Sequence, residues 1–240
     1  MFLIYTDQNS SRLKYVFNFI FNETYGFDFK ITQDKGFFSS SNSPKLNYSE
    51  NQINDEFFIK SSGFLYETNI HEIQLEVFKY DDFEIFFKTG GNFPFDIFSA
   101  IFYLLSRYEE YLDFKKDKYG RFPAKESLAF KNSFLDKPLV NIWLDFLKEK
   151  LKTIYSNLKF KNHHFNYMST IDIDSAYAYK GKSLFRSTIS FLHKVFTFNF
   201  QESKLMLEVL FDFKKDPFDN FDIQDKIHNK FNIHPIYFVL

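Results

Sequence analysis

Phe2-Leu-Ile-Tyr-Thr6 is a short apolar run at the start of the chain, and Phe27-Asp-Phe-Lys-Ile-Thr32 alternates apolar and polar residues. Between them, residues 10–24 carry apolar side chains at helical spacing, and Ser10 or Ser11 stands in place to cap that helix. A strand, a helix and a second strand in this order form a β-α-β unit, which favours a parallel pair. The stretch therefore predicts an α/β fold.

The pattern predicts further elements up to about residue 160. Short apolar runs predict strands at residues 57–59, 64–66, 73–78 and 83–87, and helical spacing predicts helices over 95–112 and 138–157. Residues 34–55 are rich in Ser, Asn, Asp and Lys, which is typical of a loop or a weak hairpin. We expect residues 1–160 to form an N-terminal α/β domain with a mixed sheet.

A second domain is predicted for residues 166–240, after a basic connector that lacks periodicity. A strand is expected at 167–174, helices near 183–197, 200–213 and 219–231, and a buried final strand at 233–240. This order predicts a right-handed crossover to a parallel neighbour.

Composition and charge exclude several classes of protein. The chain is 45% apolar and 22% aromatic, which is ample for a core, and we attribute its 37 Phe residues to an A+T-rich genome rather than to a stacking platform. Its net charge of -1, with both signs interspersed, argues against a nucleic-acid or membrane-surface binder. The absence of cysteine excludes disulfides, thiolate metal ligands and a thiol nucleophile. With no signal peptide and no apolar run of about 18 residues, a cytoplasmic protein without a membrane span is expected.

Asp172 and Asp174 are the strongest candidates for chemistry. Residues at i and i+2 of a strand share a face, and α/β proteins bind ligands at strand ends. Two carboxylates on one face repel each other unless a cation lies between them, so a divalent metal is one explanation. The structural alternative is that both are solvated and that Asp174 caps the next turn.

Three enzyme classes use such a pair. Metal-dependent glycosyltransferases use a short Asp-x-Asp motif, and haloacid-dehalogenase-type phosphatases extend it to a Thr or Val where this chain has Ala176. Polysaccharide deacetylases begin their catalytic domain with a strand that ends in a Thr-x-Asp-x-Asp type of motif. Thr170-Ile-Asp-Ile-Asp174 fits that third pattern directly.

Longer strings carry the resemblance further. Tyr119-Gly-Arg-Phe-Pro-Ala-Lys-Glu-Ser127 is one such string. It and the segments at 98–111, 137–143, 170–180 and 215–219 resemble NodB-like polysaccharide deacetylases of Bacteroidetes type, together with the uncharacterised domain that precedes their catalytic domain. The resemblance runs over most of the chain. It implies that an incomplete deacetylase-like (β/α) barrel follows the N-terminal domain.

The resemblance also implies a mechanism. In that family a divalent metal, commonly zinc, is held by one Asp and two His, activates water and polarises the acetamide carbonyl of an N-acetylated sugar. A second Asp takes the water proton and a His protonates the leaving amine. By position, Asp172 corresponds to the catalytic base and Asp174 to the metal ligand. The spacer Ile173 and the Ser175-Ala176 pair depart from the family's usual adjacent aspartates and Gly-Pro.

The family's metal site needs two histidines, usually four residues apart, and no such pair occurs here. The six histidines are His71, His163, His164, His193, His228 and His234. His163 and His164 are expected on the surface, and His234 at the start of a buried strand. Asp216, Asp219 and Asp222 are interpreted as helix caps and surface residues.

A complete barrel takes roughly 200 residues or more, whereas residues 166–240 supply two predicted strands. We therefore expect the chain to be a truncated piece of a deacetylase of an N-acetylated polysaccharide or its precursor. The piece should be inactive and bind zinc weakly or not at all, because its other ligands would lie beyond Leu240. The alternative is a non-catalytic carbohydrate- or partner-binding α/β protein with structural aspartates.

Overall fold

Strand β1, Phe2–Thr6, is buried at every residue and forms the centre of the N-terminal unit. The computed structural model describes residues 1–162 and 164–239, and the chain divides into two units, Met1–Asn162 and His163–Leu240. The α/β class predicted from the sequence is confirmed, since both units contain helices and strands.

The first unit contains six strands and five α-helices among its described residues. The remaining strands are β2 (Phe29–Thr32), β3 (Lys45–Ser49), β4 (Phe57–Lys60), β5 (Phe78–Tyr80) and β6 (Phe83–Ile85). The α-helices are α1 (Ser11–Phe17), α2 (Lys35–Ser40), α3 (Ile97–Leu105), α4 (Leu128–Lys131) and α5 (Leu139–Ile154). A π-helical segment, Asn18–Thr24, continues α1.

Strands β1 to β4 form one parallel sheet in the order β2-β1-β3-β4. Phe2 and Ile4 point into the main core, whereas Leu3 and Tyr5 pack on Phe38 of α2 on the opposite face. Both faces of the sheet are thus covered, as parallel sheets require. Strands β5 and β6 form a separate antiparallel pair, so the expected single mixed sheet is replaced by two sheets.

The predicted β-α-β opening is confirmed. Ser10 caps α1, because its side chain accepts a hydrogen bond from the backbone N–H of Leu13 at 3.1 Å. Leu13, Val16 and Phe17 are buried on one face of the helix, as their spacing predicts. Strand β2 then pairs in parallel with β1.

The prediction of a loop or hairpin over residues 34–55 is wrong, because α2 and β3 lie there. In β3, Asn47 and Ser49 are polar yet buried. Asn47 donates to Glu56 Oε1 at 2.7 Å, and Ser49 donates to Asn47 Oδ1 at 2.6 Å. Buried polar groups that satisfy one another give a strand the composition of a loop.

Three other predicted elements are also corrected. Phe64–Tyr66 forms a 3₁₀ turn after Gly63 instead of a strand, and residues 73–77 have no regular structure before β5. Helix α3 ends at Leu105 rather than at 112, since Arg107 has a left-handed backbone with φ 54° and Tyr108–Tyr111 is a 3₁₀ turn. Apolar spacing alone did not reveal these breaks.

The second unit has a parallel pair of strands, as predicted. Its elements are β7 (Thr170–Ile173), α6 (Leu184–Phe196), α7 (Phe200–Leu210), α8 (Phe221–Phe231) and β8 (Ile236–Val239). The final strand was expected to reach Leu240, but Leu240 lies outside the described residues. The candidate residue His163 also lies outside them. The expectation that this strand is buried is wrong, because its described residues are exposed, Tyr237 by 37% and Val239 by 72%.

Burial differs between the two units. The main core of the first unit includes Trp143, Phe95 and Phe98, all fully buried. In the described part of the second unit, the buried apolar side chains are Met206 and Val209. Across residues 1–162 and 164–239, no helix is long and apolar enough to cross a membrane.

Asp96 connects three elements of the first unit. Its carboxylate is fully buried and accepts hydrogen bonds from Tyr48 Oη of β3 at 2.9 Å, from Ser62 N after β4 at 2.8 Å and from Ser99 N of α3 at 3.0 Å. The hydroxyls of Ser62 and Ser99 donate as well, at 2.7 and 2.6 Å. Burial and this carboxylate raise the pKa of Tyr48 well above its ordinary value, so the phenol stays a donor.

We expect Asp96→Ala to destabilise the first unit by about 3–5 kcal/mol, because it removes a helix cap and leaves several buried donors unpaired. The control is Asp34→Ala, which removes the exposed cap of α2, whose carboxylate accepts from Phe37 N at 3.0 Å. That change should cost about 1 kcal/mol. Urea unfolding followed by the fluorescence of the chain's single Trp, Trp143, reports this unit. Equal losses in the two variants would contradict the role given to Asp96.

Candidate functional site

The two candidate aspartates lie at the carboxyl end of β7. Asp172 lies in β7, where it pairs with Phe238 of β8, and Asp174 is the first residue after this strand. Ile171 and Ile173 are half-buried while both aspartates are exposed, so the alternation predicted from the sequence is realised. The two carboxylates therefore belong to the same face of the strand.

A cavity of about 350 Å³ opens beside this strand end. Residues 171–176 form one wall, and the turn at Pro217–Phe218 with the start of α8, at Asn220, Phe221 and Gln224, forms the other. Both aspartates line it. The cavity thus joins the predicted motif to a part of the chain about 40 residues further on, in keeping with ligand binding at strand ends.

The carboxylates of Asp172 and Asp174 have no hydrogen bond or ion pair with any residue that the structure describes in this unit. Two lysines of the same unit pair with other carboxylates, Lys180 with Asp212 and Lys215 with Asp222. Two carboxylates on one face, with no neutralising side chain beside them, make this strand end a place of negative potential. Such an arrangement favours a cation.

Asp216 holds the turn that follows the aspartates. It is 3% exposed, and its carboxylate accepts hydrogen bonds from the backbone N–H groups of Ala178 and Tyr179 at 2.8 Å, of Lys180 at 3.1 Å and of Phe218 at 3.0 Å. The interpretation of Asp216 as a cap or surface residue is therefore wrong. Asp-Pro at 216–217 is a turn signal in the sequence, but it does not reveal the distant turn at residues 178–180.

This contact bears on the structural alternative for Asp174. Had Asp174 capped the following turn, its carboxylate would accept hydrogen bonds from that turn. A cap at Asp174 would accept from the N–H of Ala176 or Tyr177, and no such hydrogen bond is formed among the described residues, while the N–H groups of Ala178, Tyr179 and Lys180 donate to Asp216. In this arrangement Asp174 has no capping role among the described residues and remains available to a ligand.

A complete metal centre is not formed by the described part of the chain, where no group of three or more His, Cys, Asp or Glu side chains is placed to hold an ion. Asp172 and Asp174 would supply at most two of the three protein ligands that a catalytic zinc site uses. His164, His193, His228 and His234 of the second unit do not join them, and His163 lies outside the described residues. The donor set present therefore does not fit zinc by itself.

Comparison with known protein families matches most of the first unit. A model described as "Family of unknown function (DUF7033)" matches residues 2–156. No curated protein and no solved structure matches the chain. The matched residues lie in the first unit, so the aspartate motif of β7 is outside them.

The pKa of Asp216 predicts a pH dependence for the turn at residues 178–180. Burial raises this pKa, but the four backbone N–H donors outweigh it and hold the pKa below its ordinary value. Since the folded pKa is lower than the unfolded value of about 3.9, the stabilisation is complete above about pH 4 and is lost as the pH falls through the folded pKa. We expect the amide proton shifts of Tyr179 and Lys180 to titrate below about pH 4 in NMR spectra.

The matched variant is Asp216→Asn. Tyr179 and Lys180 both donate to Oδ2, and an amide nitrogen in that place has no lone pair to accept them. The acid titration of these two amide shifts should disappear, and their hydrogen exchange near neutral pH should become about tenfold faster or more. Unchanged titration in the variant would mean that another group holds the turn.

Proposed function

We propose that this chain, which belongs to the DUF7033 family, carries in residues 166–240 the N-terminal part of a polysaccharide deacetylase-like catalytic domain. The observation that carries the proposal is the pair of exposed, unneutralised carboxylates at the end of β7, which line a cavity. The Thr170-Ile-Asp-Ile-Asp174 pattern and the longer strings around it support the same class.

The reaction we propose is hydrolysis of an acetamide group on an N-acetylated polysaccharide or its precursor. Water adds to the acetamide carbonyl, the C–N bond breaks, and acetate and a free sugar amine are released. Asp172 is the proposed base that takes the proton from water. Asp174 is the proposed ligand to a divalent ion, zinc being the first candidate because the class uses it, and carboxylate oxygens bind Mg²⁺, Mn²⁺ and Zn²⁺.

We also propose that residues 166–240 belong to a larger (β/α) barrel. A parallel sheet is normally covered on both faces, yet β8 is exposed at each described residue. Phe196, Phe198 and Phe213 are exposed by 78, 80 and 80%. Apolar surface of this extent favours further strands and helices of the same domain as its cover, and these would also bring the histidines that complete the metal site.

A variant series in the protein purified from its natural source organism, or expressed from the full gene, tests the two roles. Asp174→Asn should weaken zinc binding about tenfold or more, because it removes a charged ligand. Asp172→Asn should keep zinc binding and lower acetate release from N-acetylglucosamine polymers about 10²–10⁴-fold. The control is Asp225→Asn, which removes the same charge from an exposed site on α8.

Zinc binding is measured by calorimetry and acetate by a coupled assay. Full acetate release by Asp172→Asn and Asp174→Asn, with no loss of zinc affinity, would refute the assignment. The loss must also exceed that of Asp225→Asn, because the control reports the general effect of removing one negative charge from this unit.

The 240-residue chain provides a second test. Because its described residues do not complete a zinc site, we expect no acetate release above background in the presence of Zn²⁺, Mg²⁺ or Mn²⁺. Metal-dependent release by this chain would contradict the proposal that the site is completed by further residues. It would leave the assignment of the aspartates to be decided by the variant series.

A further inference from the structure

We propose that the first unit has a sugar-binding site of its own, in a cavity of about 530 Å³ beyond the end of β4. We call it the β4 cavity, and its lining includes Ser62, Glu67, His71, Phe78 and Phe87. Its volume lies within the about 300–1,000 Å³ of small-molecule sites, and ligands of parallel α/β sheets bind beyond the carboxyl ends of the strands. The proposal does not rest on the deacetylase assignment.

Arg12 holds the backbone at Phe64 and Asn69, next to the β4 cavity, in a fixed position. Its guanidinium is buried, donates to the carbonyl oxygens of Phe64 at 3.0 Å and Asn69 at 2.6 Å, and stacks on the Phe64 ring at 4.8 Å. Tyr108 fixes the next part, because its hydroxyl accepts from His71 N at 3.0 Å and donates to His71 O at 3.1 Å. The irregular segment at 67–77 is thereby pre-organised, which reduces the cost of binding.

Glu67 gives the β4 cavity an acceptor that lacks a donor. Its Oε2 atom is shielded from solvent and receives no hydrogen bond from any residue of the described ranges. The nearest nitrogen atoms of basic side chains are Arg12 Nη1 at 3.7 Å and His71 Nδ1 at 3.6 Å, both beyond hydrogen-bond distance. The Glu67 side chain as a whole is 41% exposed and no described residue donates a hydrogen bond to it, so its other oxygen, Oε1, is the one suited to accept an O–H from a bound ligand.

Aromatic rings also line the β4 cavity. Phe87 stacks on Phe64 with ring centroids 5.0 Å apart, and it holds a left-handed backbone conformation with φ 56°. A bulky residue rarely adopts this conformation, and such positions concentrate at functional sites. Phe78 is partly exposed beside it, with Lys88 Nζ at 4.7 Å from the ring centre. These rings offer apolar surface to the C–H face of a sugar.

The charges around the β4 cavity favour a neutral ligand. Glu67 and Glu76 are balanced by Arg12 and Lys88, so no net positive field is present to hold a phosphate. The exposed Gln74 adds an amide that both donates and accepts. A sugar combines neutral hydroxyls, which donate and accept, with an apolar face, and it matches this set better than a nucleotide does.

The test titrates three probes into the ¹⁵N-labelled 240-residue chain, followed by NMR: the N-acetylglucosamine trimer, the β-1,4-linked glucose trimer and ATP. We expect at least one sugar to shift the amide signals of Glu67, His71 and Lys88 with a dissociation constant of about 1 mM or lower, and ATP to leave them unchanged. Absence of shifts with both sugars, or shifts at these residues with ATP alone, would overturn the proposal.

The variants are Glu67→Gln and Phe78→Ala, and each should weaken sugar binding about tenfold. Glu67→Gln removes a charge-assisted hydrogen bond to the sugar. Phe78→Ala removes an aromatic contact with it. Two variants are used so that one remains informative if the other does not fold. Thermal melting of each variant shows whether it is folded. Glu149→Gln on the exposed face of α5 is the matched control and should bind normally. Unchanged affinity in both cavity variants would refute the site.

Discussion

The buried carboxylate of Asp96 is the interaction on which the first unit depends. It lies at the start of α3 and is bonded to Tyr48 of the parallel sheet and to Ser62 beyond β4. A buried charge is tolerated only when hydrogen bonds replace its water, so these three elements have one favourable arrangement. Ser62 also lines the β4 cavity, so the same carboxylate that caps α3 fixes the edge of the proposed sugar site.

The two units show what amphipathic spacing predicts and what it does not. Helices α5 to α8 lie close to where the spacing of apolar residues placed them, because that spacing reports which face of a helix is apolar. It does not report whether that face is covered. Trp143 of α5 is fully buried whereas Phe196 of α6 is 78% exposed, although each belongs to a helix with an apolar face.

The missed strand β3 has a physical cause. The rule that polar residues face water fails where polar groups pair with one another, as Asn47 and Ser49 do in β3. The β4 cavity could not be predicted from the sequence for a similar reason. The buried Arg12, which holds the backbone beside this cavity, lies more than 50 residues from the backbone carbonyls to which it donates hydrogen bonds. Contacts between distant polar groups have no local pattern. The strand ending in Asp172 and Asp174 could be predicted because alternation is local.

Three aspartates of the second unit show how environment separates residues of one type. Asp216 is buried and its charge is met by four backbone N–H groups, so its binding capacity is used within the fold. Asp172 and Asp174 differ from it in both respects, because they are exposed, lie on one face next to a cavity, and accept no hydrogen bond with their carboxylates from the described residues. Two such carboxylates on one face have the charge that a cation-binding site needs, whereas the charge of Asp216 is already met by backbone N–H groups.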